Sequence, residues 1–332
     1  MKKIVGIFFL TCMLYANTCA QEAVQLGEAS LIASSDDAIG TLSASHYSNS
    51  MLFATESRAG KVHVFNDKLE RINSFGQHGR GPGDLYFPSF ITEIDGKIYI
   101  SEVRLLRLSV FTQSGEYIES IPLPIRPRSF ALFNNSLITY NRNQEPLFYI
   151  VDLDNGTVQF DFGNLYNPSN TRNRYELAAR NLYHFEPVSD NSIVIINTSN
   201  GNIQFANVSD TVTLRMAQTE IVNLVFLNRK NYTENYFKNT NLENFSYPTF
   251  IKSASYCKAK NSVFISFTGQ DGESIKQGML MELRLHNGNL EELNTYDFTG
   301  RHFREFALNS QCNQVIFYDL SDGVILKYAL EN

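Results

Sequence analysis

The stretch Phe75–Val103 reads FGQHGRGPGDLYFPSFITEIDGKIYISEV, and its reading decides the fold. It holds a strand end, a glycine-rich crossing loop, a strand, a tight turn at Asp95-Gly96 and a second strand. The central turn residue is one that tolerates positive φ, which two-residue hairpin turns require. The same small polar turn followed by a β-rich run recurs at Ser48–Ala54, Asn134–Tyr140, Asp190–Ile196, Lys260–Ser266 and Cys312–Tyr318. The central turn residues are Asn49, Gly96, Asn135, Asn191, Asn261 and Asn313. Each turn therefore joins two antiparallel strands.

Working outward from the turns, a third strand follows in every unit: Val62–Asn66, Leu108–Gln113, Phe148–Leu153, Ile203–Val208, Met279–Leu285 and Ile325–Leu330. After five of these a further turn leads into a fourth strand. Four antiparallel strands repeated every ~40–70 residues make a propeller blade. The expected fold is all-β, a six-bladed β-propeller with blades near 39–76, 88–124, 128–163, 184–217, 250–298 and 302–332. The sixth unit runs out of chain one strand early, at Asn332. The segment 23–32 is β-compatible and belongs to no unit, so it is expected to supply the missing outer strand and close the ring, removing exposed sheet edges.

Within a blade the turns joining strands one to two and three to four share one face of the disc. The loops between strands two and three, and the linkers between blades, share the other. All the long segments (76–87, 164–183 and 218–249 among the linkers) fall in the second set, so one face is plain and the other elaborated. Short helices are expected at Asn173–Tyr183 and Thr233–Asn239.

The first twenty residues stand apart. Lys2 and Lys3 precede an apolar run, Ile4–Leu14, and Thr18-Cys19-Ala20 forms a small-residue cleavage site before Gln21. This is the pattern of a secretory signal peptide, with residues 21–332 as one domain. A lipid anchor on Cys19 is the alternative, although Ala16-Asn17-Thr18 lacks the apolar residue of a lipobox. The location is therefore periplasmic or extracellular. Losing Lys2 and Lys3 takes the balance from 28 basic and 34 acidic residues to 26 and 34, a net charge of −8. Nucleic acid and anionic membrane surfaces are poor partners for such a chain. No second long apolar run exists, so no membrane span is expected. Of four cysteines only Cys257 and Cys312 survive cleavage; a disulfide is open to them, but two separate buried thiols are the expectation, because bridging geometry is demanding.

The run Phe75–Pro88, then Ile94–Ser101, then Leu108–Phe111 and Gly115, resembles an NHL-type propeller repeat, and in particular the six-bladed β-propeller family of exported bacterial proteins. The resemblance is specific in this blade and topological in the others. It implies a ring-shaped interaction or ligand-binding scaffold with no single activity shared by members. Some NHL-type propellers are enzymes whose channel metal is held by histidines around the axis. His78, His184 and His302 lie near blade entrances here, but no motif carries a metal role onto them. The sialidase Asp-box is absent, and the chain has no Trp.

The glycine loop 76–83 lacks the Lys-Ser/Thr and the helix of a phosphate cradle, so its glycines serve the crossing between blades. The residues entering the inner strands are Tyr86 with Phe87, Arg126 with Arg128, Tyr183 with His184, Tyr247, and Arg301 with His302. With His78, Arg80, Arg104 and Arg107 they are expected on the funnel rim of the elaborated face. Arginine forks bind carboxylates or sulfates and tyrosine faces suit sugars. A basic funnel on an acidic protein would draw anions inward. The plainer alternative pairs these arginines with nearby acids such as Asp84, Glu102, Glu186 and Glu305. The functional expectation is a non-catalytic exported propeller without a cofactor, binding a saccharide, a peptide or an envelope protein. The alternative is a lyase or hydrolase acting on an anionic saccharide with a divalent metal in the channel.

Overall fold

The computed structural model describes residues 24–25, 30–31, 40, 42–209, 211–217, 219–244, 247–248, 250–298, 300–303 and 305–330. The leader and Cys19 lie outside the described residues. Six antiparallel sheets succeed one another along the chain. Blade one is Leu42–Ser48, Met51–Glu56, Lys61–Phe65 and Arg71–Phe75, and blade two is Phe90–Ile94, Lys97–Glu102, Arg107–Thr112 and Tyr117–Pro122. Blade three is Ala131–Phe133, Ser136–Tyr140, Phe148–Asp152 and Val158–Phe162, and blade four is Tyr183–Ser189, Ser192–Asn197, Ile203–Val208 and Val212–Met216. Blade five is Ile251–Cys257, Ser262–Asp271, Ser274–His286 and Asn289–Asp297. Blade six has Phe306–Leu308, Gln314–Asp319 and Val324–Ala329, and takes its outer strand from Ser30–Leu31, which pairs antiparallel with Leu326 and Lys327. Each inner strand contacts the next, and Phe306–Leu308 contacts Leu42–Ser48, so the ring is closed. The chain is a six-bladed β-propeller closed by its N-terminal segment.

That segment does more than complete blade six. Val24–Gln25 adds in parallel to the outer edge of blade five, opposite Tyr296 and Asp297. Blades five and six are thus fastened from outside. They are also fastened inside, where Cys257 and Cys312 form a disulfide with an S–S distance of 2.06 Å. The expectation of two separate thiols is corrected here. Both residues sit at the plain-face ends of neighbouring blades, Cys257 closing one inner strand and Cys312 in the turn after the next, with Cα atoms 6.1 Å apart, within bridging range.

The turn chemistry holds in part. Asn49, Gly96, Asn135 and Asn261 have positive φ, as their residue types allow. Asn191 and Asn313 are not in that region; in blade six Cys312 takes φ +52 instead, within a longer connection from Leu308 to Gln314. In blade five the second and third strands run on as a hairpin extension, the one ending at Asp271 and the other starting at Ser274.

Side chains alternate between the two faces of each blade, so the core is a series of apolar layers between neighbouring blades. Phe53, Val62, Val64, Ile98, Ile100 and Phe111 form the layer between blades one and two, with Leu85 from their linker. The linker crosses so closely that a Cβ on Gly60 would stand 2.4 Å from the Leu85 carbonyl oxygen and 2.6 Å from the His78 Cα; with φ +64, this position accepts only glycine without rebuilding.

Two helices occupy the long linkers: α1, Arg174–Arg180, and α2, Leu224–Asn239. The second starts well before the expected Thr233, because Asn223 caps it by accepting the Phe226 N–H at 3.0 Å. Arg180 buckles the two together. It is buried, donates to Glu176 at 2.8 Å and Glu234 at 3.2 Å, and lies 4.5 Å over the Phe237 ring.

Candidate functional site

The linker 76–89 is held by a buried carboxylate. Glu102 accepts the Tyr86 backbone N–H at 2.7 Å and pairs with Arg107 at 2.8 Å, whose other nitrogen donates to the Asp84 carbonyl at 3.1 Å. Asp84 in turn accepts from Gln77 at 2.7 Å and from the Gly81 N–H at 3.0 Å. Arg107 is therefore a paired, structural arginine. What this scaffold presents is an aromatic group: the rings of His78, Tyr86 and Phe87 meet pairwise at 4.9–5.3 Å. Arg80 lies 4.5 Å over Tyr86, and Arg104 lies 4.2 Å over Phe87. The guanidiniums of these two arginines hold the Tyr86 phenol below its ordinary pKa. His78, Arg80 and Arg104 are exposed.

The central channel has a volume of about 400 Å³ and is walled by all six inner strands. Its ionisable lining is His46, Glu93, His184, Glu186, Lys258 and Glu305. Burial lowers the affinity of His184 for its proton, but the hydrogen bond to Glu186 at 3.0 Å and the charges of Glu186 and Glu305 outweigh it, so its pKa is raised. His46 shows the reverse: burial lowers its pKa to about 4 against the opposing pull of Glu93. The expected basic funnel does not extend into the channel, where carboxylates outnumber the one lysine. Among the described residues no three His, Cys, Asp or Glu side chains are grouped to hold a metal ion.

The remaining expected rim residues separate. Arg301 pairs with Asp319 at 3.3 Å and Asp322 at 2.5 Å, as the plainer alternative has it for an arginine of this rim. Tyr183 is buried in the layer between blades three and four, 4.9 Å from Phe148 and 5.6 Å from Tyr140. Arg126 and Arg128 share a corner with Tyr247, joined by Arg142 and Tyr140. Tyr247 and His302 line a recess of about 350 Å³ with Thr198, Ser199 and Lys252.

Sequence reasoning missed three contributors. Glu305 was placed only as a counter-ion, yet it lines the channel, this recess and a larger cleft of about 620 Å³ between blades six and one. It directly precedes the inner strand Phe306–Leu308, so a correct strand boundary would have singled it out. Arg142 and Tyr140 belong to the second strand of blade three and its following loop, Asn141–Leu147, which carries no motif. Phe87, expected on the rim beside Tyr86, receives Arg104 and also lines the larger cleft.

No family model matches the sequence, and no curated protein matches it either. Among solved structures, the chain is similar to a Bacteroides fragilis protein thought to be exported, at 12% identity and TM-score 0.56, over 91% of this chain and 94% of that one. It is also similar to a DUF4221 family member from Bacteroides vulgatus at 11% identity and TM-score 0.54, over 92% and 94%. The WD40 repeats of RRP9 match at 7% identity and TM-score 0.56, over 92% and 100%. At these identities the likeness concerns the fold alone.

Proposed function

We propose that this chain is an exported, non-catalytic propeller that binds a carbohydrate, peptide or protein partner through its elaborated face and the mouth of its channel. The observation that carries the reading is the group formed by exposed His78, Arg80 and Arg104 on half-buried Tyr86 and Phe87. Tyrosine and arginine dominate binding hot spots, and here the guanidiniums are already stacked on the rings, so little side-chain freedom is left to lose on association. The cleft of about 620 Å³ that Phe87 and Glu305 line adjoins this group and offers concave surface of ligand size.

Export is supported by the leader-like start of the chain and by the disulfide, a bond that persists in oxidising compartments. The Bacteroides fragilis neighbour agrees with that placement.

The test is a glycan-array and envelope-extract capture screen on the wild type and on Arg80→Ala/Tyr86→Ala/Arg104→Ala. The variant should keep its thermal midpoint, because the three side chains are outside the core, and lose the ligands that the wild type captures. Identical capture profiles would remove this group from the binding surface.

A further inference from the structure

The linker into blade three presents two arginines on a stiff support. Leu123-Pro-Ile-Arg-Pro-Arg-Ser129 carries Arg126 and Arg128 on either side of Pro127, which is buried. The Arg128 N–H donates to the Arg126 carbonyl at 2.9 Å, closing a three-residue turn about the proline. Thr139 donates to the Ser129 carbonyl at 2.9 Å and pins the turn to the blade. Arg142 approaches from the next loop, and its charge and that of Arg126 both act on Arg128.

Arg128 is half-buried, and neither its guanidinium nor that of Arg126 is received by any carboxylate or carbonyl among the described residues. Three other arginines are treated differently: Arg107, Arg180 and Arg301 each hold a carboxylate within 3.3 Å. A partly desolvated guanidinium beside two others is unfavourable by itself, and an oxyanion relieves it. Two phenols, Tyr140 and Tyr247, also act on Arg128, and burial keeps both protonated. Tyr247 belongs also to the recess of about 350 Å³, whose walls carry hydroxyl, ammonium and imidazole groups from Thr198, Ser199, Lys252 and His302 and one carboxylate, that of Glu305. A ligand with hydroxyls in the recess and a negative group at the arginines would use both.

We infer that Arg126 and Arg128, with Arg142 and Tyr247, form a seat for the carboxylate or sulfate of an acidic saccharide. The inference rests on the proposed use of the elaborated face and narrows its ligand to one chemical class.

The test is calorimetric titration of the full mature chain with three probes of equal length: an oligogalacturonate, a sulfated galactan oligosaccharide and a neutral galactan oligosaccharide. At least one acidic probe should bind, and the neutral one should not. Arg128→Gln should weaken that binding at least ~10-fold, as should raising salt to about 0.5 M, while Lys97→Gln on the plain face changes it little. The carboxylate and sulfate arms identify the preferred anion. Arg128→Gln should leave the thermal midpoint unchanged or raised, because it removes an uncompensated charge. A lowered midpoint makes Arg128 structural and overturns the seat. So does acidic-probe binding that Arg128→Gln leaves intact, or binding by none of the acidic probes. Capture of a neutral glycan or a peptide independent of Arg128 overturns the seat and leaves the wider reading standing. Acidic binding at Arg128 that ignores the Arg80/Tyr86/Arg104 variant keeps the seat and refutes the aromatic group.

Discussion

His46 and His184 face one channel and titrate in opposite directions. His46 is kept neutral by burial, with a pKa lowered from 6.5 to about 4. Its unfolded form binds a proton that the folded form refuses. Its contribution to stability is therefore complete above pH 6.5 and is lost as pH falls toward 4. His184 is raised, so its pair with Glu186 contributes fully below pH 6.5, and that contribution is lost as pH rises through the higher folded value. Urea midpoints measured across this range should show the acid-side decline shrink in His46→Gln and the decline above pH 6.5 shrink in His184→Gln. Profiles parallel to the wild type in both variants would mean that neither imidazole is held as described.

At the scale of elements, the elaborated face owes its shape to linkers that have no core of their own. Helix α1 has seven residues, too few to persist alone, and α2 lacks a continuous apolar stripe. Both depend on Arg180 and on the small cluster of Ala179, Phe237 and Leu242. Arg180→Ala would leave Glu176 and Glu234 without their cation and open a cavity under Phe237. Because Glu234 is partly exposed, the cost should sit at the low end of the ~3–5 kcal/mol typical of broken buried pairs. The loss should be local. Hydrogen exchange should accelerate over Arg174–Arg180 and Leu224–Asn239 while the blade strands keep their protection. Uniform acceleration through all six blades would show that Arg180 supports the ring itself.

At the scale of the molecule, the closing blades are held twice, by the N-terminal strands outside and the disulfide inside. Either fastening keeps blades five and six in register, so the two removals should not be additive. Cys257→Ser/Cys312→Ser should cost about 2–4 kcal/mol with the tail present. A chain starting at residue 32 should lose the outer strand of blade six and expose a sheet edge that promotes association. Combining both changes should cost more than the sum of the separate losses. Additive denaturation midpoints would mean that the two fastenings act on independent parts of the ring.

Period and turn chemistry determined the fold from the sequence. Asn and Gly at hairpin positions, alternating strands and an orphan first strand are local features, and a closed ring is the arrangement that leaves none of them unpaired. The division into a plain and an elaborated face followed from strand parity alone. The disulfide was not legible, because a bond between Cys257 and Cys312 depends on how two blades approach in space. Nor was the fate of each arginine: Arg107 and Arg301 found carboxylates, Arg80 and Arg104 found rings, and Arg126 and Arg128 found none. Which partner a long side chain meets is set by which loops cross, and only the folded ring decided that.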